Sequence, residues 1–342
     1  MKPNAPRPFP HQAMHALCRA AIILAALLGS LPSIAQTSQQ GLEPRNEGRN
    51  SRPPVKRPRP LPDGVQAARD IEYAKADGVS LKLDLYTPEK QHPQPRPLVV
   101  WVHGGGWRAG NKQHCPALRL VQRGYVVASI QYRLSHQAIF PAQIHDCKAA
   151  IRWLRAHAGT YAIDPGRIGV WGSSAGGHLV ALLGTSGGVS DLSEPALGHA
   201  EQSSRVQAVC DFYGPTDLLQ MDAHAPEGAR IIHNAPDSPE ALLVGGPIQE
   251  YPQRVARLNP ITYVTPDDPP FLILHGDRDA TVPMHQSQLL AEALKKAGVQ
   301  HQFHVIHGAG HGFRKNPEVQ THVDTFLDAI LKPSPQASNG EE

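Results

Sequence analysis

The run Arg167-Ile168-Gly169-Val170-Trp171 passes through Gly172-Ser173-Ser174-Ala175-Gly176 straight into a helical pattern from Gly177 to Leu183. Strand, turn and helix follow one another with no spare residue, so the backbone at the turn is crowded and glycine is required there. Ser174 holds the middle of a G-x-S-x-G pattern, a turn that lifts its hydroxyl above the end of a sheet. Taken alone, the pattern also fits a plain glycine-rich strand-to-helix turn. Other segments of the chain decide between the two.

From Gly64 onward, strand-like runs alternate with helical ones. Ile71 to Ala74 and Leu81 to Tyr86, joined through Asp77-Gly78, alternate with period 2 and predict an antiparallel edge hairpin. Pro97 to His103, Tyr125 to Ile130, Arg167 to Trp171, Val206 to Phe212 and Pro270 to His275 are continuously apolar, as strands covered on both faces must be. Gln300 to Ile306 adds one more strand. Helical patterns lie between them at Cys115 to Gln122, Pro141 to His157, Gly177 to Leu183, His285 to Lys296 and Pro317 to Leu331. The order predicts an α/β fold: a mostly parallel central sheet, an N-terminal antiparallel edge hairpin, and helices on both faces. Leu218 to Thr265 has no clean period and is read as an excursion over the sheet that walls or covers a site.

In such sheets reactive residues gather beyond the carboxyl ends of the strands. One strand runs into His103-Gly104-Gly105-Gly106-Trp107, where consecutive glycines leave backbone N–H groups free to converge on one oxygen. A phosphate loop is the rival for this run, but Asn111-Lys112-Gln113 follows Gly110 where Lys-Ser/Thr is required. A second strand ends in His275-Gly276-Asp277-Arg278-Asp279, and a third leads into Gly308-Ala309-Gly310-His311-Gly312-Phe313. A serine hydroxyl is a poor nucleophile near neutral pH. It needs an imidazole to take its proton and a carboxylate to orient that imidazole. Ser174, Asp279 and His311 supply these in chain order. Asp277 directly follows its strand, where an aspartate bonds its own backbone; Asp279 lies further into the loop and is the expected orienting acid. His275 and His307 precede glycine turns and are expected to pack on their loops. With 19 histidines in the chain, scattered ones such as His114, His136, His224 and His233 are expected at the surface or in loops. No H-E-x-x-H or similar spacing occurs, so neither a catalytic metal nor a cofactor is expected.

Lys2, Arg7 and Arg19 precede or flank the apolar stretch Ala20 to Leu31, and Ser33-Ile34-Ala35 supplies small residues for cleavage. The stretch is too short to span the ~30 Å hydrocarbon layer as a helix, and Cys18 precedes it, which argues against a lipid anchor. The expected division is a signal peptide at 1–35, a Pro/Arg-rich linker at 36–63, a catalytic domain at 64–333 and a tail at 334–342. Export to the periplasm or the medium is implied. Removing residues 1–35 takes three of 33 basic residues and none of 30 acidic ones, which leaves a formally neutral remainder and no support for nucleic-acid binding. Cys115, Cys147 and Cys210 then remain, an odd number, with Cys147 and Cys210 expected as small buried residues.

The motifs H-G-G-G-W, G-x-S-A-G-G-H, H-G-D-x-D…V-P and G-A-G-H-G-F, in this order, resemble those of the α/β-hydrolase superfamily. More narrowly they resemble secreted carboxylesterases, the group holding hormone-sensitive-lipase-like and bifunctional feruloyl/acetyl-xylan esterases. Asp277 to Pro283 is closer to the feruloyl/acetyl-xylan and peptidase-like branch. The resemblance covers roughly residues 66–332. It implies Ser174 as nucleophile, Asp279 as orienting acid, His311 as general base then acid, and backbone donors from Gly105, Gly106 and Ala175. It also implies hydrolysis of a short-chain acyl, acetyl or feruloyl ester, free or linked to a polysaccharide. A prolyl-oligopeptidase-like peptidase and a catalytically silent binding module are the alternatives. Trp107, Tyr132 and the 218–265 excursion are the expected walls of the substrate site.

Overall fold

Leu98, Val100 and Val102 bury themselves in one apolar layer, and Val99 and Trp101 between them in another. This alternation within one continuous apolar run is what a strand covered on both faces produces. The computed structural model describes residues 60–90, 92–313 and 316–332. The expected signal peptide at 1–35, residues 36–59 of the expected linker and the expected tail at 334–342 lie outside the described residues. Eight strands form one sheet: β1 (Val65–Ala76), β2 (Val79–Pro88), β3 (Arg96–Val102), β4 (Val126–Ile130), β5 (Ile163–Ser173), β6 (Ala208–Phe212), β7 (Phe271–Gly276) and β8 (His301–Ile306). Their order is β1-β2-β4-β3-β5-β6-β7-β8. β1/β2 and β2/β4 are antiparallel; every other pair is parallel.

On one face lie α1 (Ala142–Ala156), α2 (Ala175–Thr185) and α5 (His285–Ala297), whose Ile144, Leu179 and Leu290 join the first layer. On the other lie a 3₁₀ segment, Pro116–Arg123, and α6 (Pro317–Leu331), whose Leu120, Val323 and Phe326 join the second. The sequence pattern predicts helix near Cys115 to Gln122; the observed turn is the tighter 3₁₀ type, begun by a proline and ended by Gly124 at φ 89°. The excursion at 218–265 contains two short helices, α3 (Pro239–Val244) and α4 (Pro252–Leu258). Leu218, Met221, Leu243, Ile248, Val255 and Leu258 bury it in the first layer, so it is a fastened part of the core. Cys115, Cys147 and Cys210 are all free thiols, the last two buried. No helix among the described residues is long and apolar enough to cross a membrane.

The edge hairpin is tied to the glycine loop through one cation. Lys112 Nζ lies 2.7 Å from Asp70 in β1 and 2.7 Å from Asp84 in β2, and Asp84 is almost wholly buried. Arg69 stands further off, 4.0 Å from the same carboxylate. Lys112→Met strands the Asp84 charge in the interior, and breaking a buried pair this way costs about 3–5 kcal/mol. Urea denaturation should register that loss; an unchanged midpoint contradicts the assignment.

Candidate active site

The turn between β5 and α2 brings three backbones into contact. A Cβ at Gly172 would lie 2.1 Å from the Gly176 carbonyl oxygen, and one at Gly176 would lie 2.2 Å from that of Val102 in β3. Side chains are thus excluded on both sides of Ser174, as the G-x-S-x-G spacing demands. Ser174 itself sits at φ 56°, ψ −126°, a strained conformation for a residue with a Cβ. Its N–H donates to the Phe212 carbonyl at 2.8 Å, which fastens the strained turn to β6.

His311, in the loop after β8, places Nε2 3.0 Å from Ser174 Oγ and Nδ1 2.7 Å from Asp279 Oδ2. Asp279 lies in the loop after β7. Its Oδ1 accepts from the N–H groups of Thr281 and Val282 at 2.8 and 3.0 Å. Burial alone would raise the Asp279 carboxyl, but hydrogen bonds from His275 and His311 outweigh it and hold the group well below the ordinary carboxylate range. Asp279 and not Asp277 therefore meets His311. Asp277 does not bond its own backbone as expected of a turn-former; it accepts from Gly308 N at 2.7 Å and pairs with the exposed His307 at 3.0 Å.

His275, expected to pack on its loop, does so and also reaches Asp279. It is fully buried, with Nε2 2.9 Å from the Val282 carbonyl and 3.4 Å from Asp279 Oδ2, and Nδ1 2.8 Å from Ser287 Oγ. A carbonyl only accepts, so the proton belongs on Nε2 and Nδ1 accepts from the serine hydroxyl. The signal for this contact was the four-residue spacing from His275 to Asp279. Tyr213, held at φ 43°, lays its ring 4.5 Å from the His311 ring.

The glycine loop lies against the serine turn: a Cβ at Gly104 would meet the Ser173 carbonyl at 2.6 Å. Gly105 and Gly106 adopt φ 116° and 58°, and the Gly105 carbonyl is held by the N–H groups of Arg108 and Ala109. Ala175 is the first residue of α2, so its N–H has no acceptor within that helix. His103 is neutral, burial lowering it to about 4, and its ring stacks on Tyr132 at 4.4 Å. A cavity of about 420 Å³ opens over these groups, walled by Gly104 to Gly106, Ser174, Tyr213, Thr281 and His311.

Two expected walls are elsewhere. Trp107 and Tyr132 are 1% and 0% exposed, the first donating to His178 Nδ1 at 3.3 Å and the second to the His103 carbonyl at 2.9 Å. They support the glycine loop from beneath. The 218–265 excursion touches the loop through Pro239, against which a Cβ at Gly106 would stand at 3.2 Å. His233, expected at the surface or in a loop, lies in a turn and is buried. It contacts the Thr281 carbonyl at 3.1 Å and Glu240 at 3.0 Å, and although burial opposes its charge, Glu240 raises its pKa. Among the described residues no group of three or more His, Cys, Asp or Glu is placed to hold a metal ion.

The mixed sheet, with its serine on the β5–α2 turn and its histidine after β8, defines an α/β-hydrolase. The chain belongs to the BD-FAE family, whose match covers residues 83–294. A second match, described as TAP-like protein, covers residues 252–338. Among curated relatives, the esterase LipC of Mycobacterium tuberculosis is 34% identical over 68% of this chain and 56% of its own length. The probable carboxylic ester hydrolase LipM of the same organism is 31% identical over 68% of this chain and 52% of its own. The chain thus spans about half the length of the curated relatives it matches. A truncated form of a carbohydrate esterase from gut microbiota superposes with a TM-score of 0.70 at 34% identity, covering 77% of this chain and 95% of that one. Esterase 2 of Thermogutta terrifontis with propionate bound gives 0.62 at 31%, covering 80% and 97%.

The depressed Asp279 pKa makes stability depend on pH with a definite sign. A carboxylate lowered on folding stabilises the fold fully above its unfolded value, about 3.9, and loses that contribution as pH falls towards the folded value. Asp279→Asn should therefore destabilise the protein at pH 7, and the difference from wild type should shrink below about pH 4. Urea titrations at several pH values check this; a difference that grows on acidification contradicts it.

Proposed function

We propose that the protein is a serine carboxylic ester hydrolase in which Ser174, His311 and Asp279 form the catalytic triad. One observation carries the reading: Ser174 Oγ, the His311 ring and the Asp279 carboxylate stand in one hydrogen-bonded line beside the glycine loop. His311 Nε2 takes the hydroxyl proton as Ser174 Oγ bonds to the ester carbonyl carbon. Asp279 stabilises the imidazolium that results. The carbonyl oxygen, now negative, is held by backbone N–H groups of Gly105, Gly106 and Ala175, each such donor supplying about 2.7–4 kcal/mol of barrier reduction. The tetrahedral species collapses, the C–O bond to the alcohol breaks, and the alcohol leaves with the proton from His311. Water then adds to the acyl-enzyme with His311 as base, which releases the acid and restores the serine.

Short acyl, acetyl and feruloyl groups are the proposed acyl range, in keeping with a carbohydrate esterase and a propionate-bound esterase among the solved structures similar to this chain. Export to the periplasm or medium belongs to the same proposal and rests on the leader-like residues 1–35. With p-nitrophenyl acetate, Ser174→Ala should lower kcat by about 10⁴-fold or more, and Asp279→Asn by about 10⁴-fold. Hydrolysis by Ser174→Ala at the wild-type rate contradicts the reading.

A further inference from the structure

A second cavity, larger than the one over Ser174, adjoins it. It measures about 650 Å³ against about 420 Å³, and its walls include Arg69, Tyr86, His114, Leu118, Gly312 and Phe313. His114 borders both cavities, and His311 of the first is followed directly in the chain by Gly312 and Phe313 of the second. Gly312, at φ 139°, lines the second cavity and has no described residue beyond its chain neighbours within 4 Å of where a Cβ would stand.

Resting on the ester-hydrolase reading, we propose that this second cavity binds the alcohol portion of the substrate and that the group it accepts is an aromatic ring. The side follows from the chemistry. The carbonyl oxygen must face the glycine loop, while the alcohol oxygen must face His311 Nε2, which gives it a proton. The bulk of the alcohol therefore continues past His311, where Gly312 and Phe313 stand. The ring preference follows from the walls. Leu61, Pro62, Pro116 and Leu118 present partly exposed apolar surface, and the nearly buried Phe313 and Tyr86 close the wall, a lining that takes a flat apolar ring. Phe313 is itself braced, 5.1 Å from Tyr213 and 5.4 Å from Phe212 between ring centres. The Arg69 guanidinium lies 5.8 Å from the Tyr86 ring centre and adds a planar cation at the rim of the cavity. The cavity over Ser174 is left for the acyl group.

Three esters and two variants test this. Ethyl acetate and 1-naphthyl acetate share the acyl group and differ in the alcohol; methyl 1-naphthoate carries the ring on the acyl side. Leu118→Trp fills the cavity from a partly buried wall and Gln113→Trp from an exposed one. Both should raise KM for 1-naphthyl acetate about tenfold, the scale set by altered apolar contact in a pocket. The kcat/KM values for ethyl acetate and methyl 1-naphthoate should stay near wild type, which also reports that the variants are folded. If Leu118→Trp loses ethyl acetate hydrolysis through misfolding, Gln113→Trp decides. An equal loss on all three esters from both variants, a loss confined to methyl 1-naphthoate, or no change overturns the proposal. So does a larger KM effect on an acetylated xyloside than on 1-naphthyl acetate, which assigns the cavity to a sugar. Failure of the wild type to hydrolyse any of the esters would instead sink the underlying ester-hydrolase reading.

Discussion

The contact of β5, α2 and β3 at the Ser174 turn is the constraint on which the rest depends. With Gly172 and Gly176 bare, the helix starts against the sheet, and the Ser174 backbone is forced to φ 56°. Such a conformation costs of order 1–3 kcal/mol and persists only where surroundings over-determine it. Here the hydrogen bond to Phe212 and the packing of a largely buried α2 supply that determination. The same turn sets Ala175 N–H at a helix start and puts the Gly104 backbone against Ser173, so hydroxyl and amides share one cavity. A side chain at either glycine would separate them.

Opposite the turn stands a buried negative charge. A carboxylate out of water is costly unless its oxygens are filled. Asp279 receives two backbone N–H groups, His311 and the nearby His275, and those donors keep it ionised. An ionised, immobile acid fixes the histidine tautomer and leaves Nε2 turned towards Ser174. Ser287 and Val282 in turn lock His275, so α5 and the loop after β7 both take part in orienting the acid.

The elements legible in the sequence were those with a local physical signature. Continuous apolar runs marked the parallel strands, period-2 alternation marked the hairpin, and glycines at fixed offsets marked the serine turn. The loop residues Asp279 and His311 were legible because both follow strands at the same sheet edge. What was not legible depended on distant partners. Trp107 ends the H-G-G-G-W motif and Tyr132 follows an apolar strand, yet nothing local shows that His178 and the His103 carbonyl draw them beneath the loop. The burial of His233 was likewise not legible, because its contacts with Glu240 and the Thr281 carbonyl form only on folding. The 218–265 region showed no period because α3 and α4, six and seven residues long, complete fewer than two turns.

The central claim is that one serine hydroxyl in this chain is activated by an imidazole beside a set of bare amides. Reaction with a fluorophosphonate followed by peptide mapping tests it most directly, since phosphonylation needs both the activated oxygen and the donors. The account predicts a single adduct, on Ser174, that disappears when His311 is replaced by alanine. An adduct on any other residue, or a wild-type protein that stays unlabelled, contradicts it.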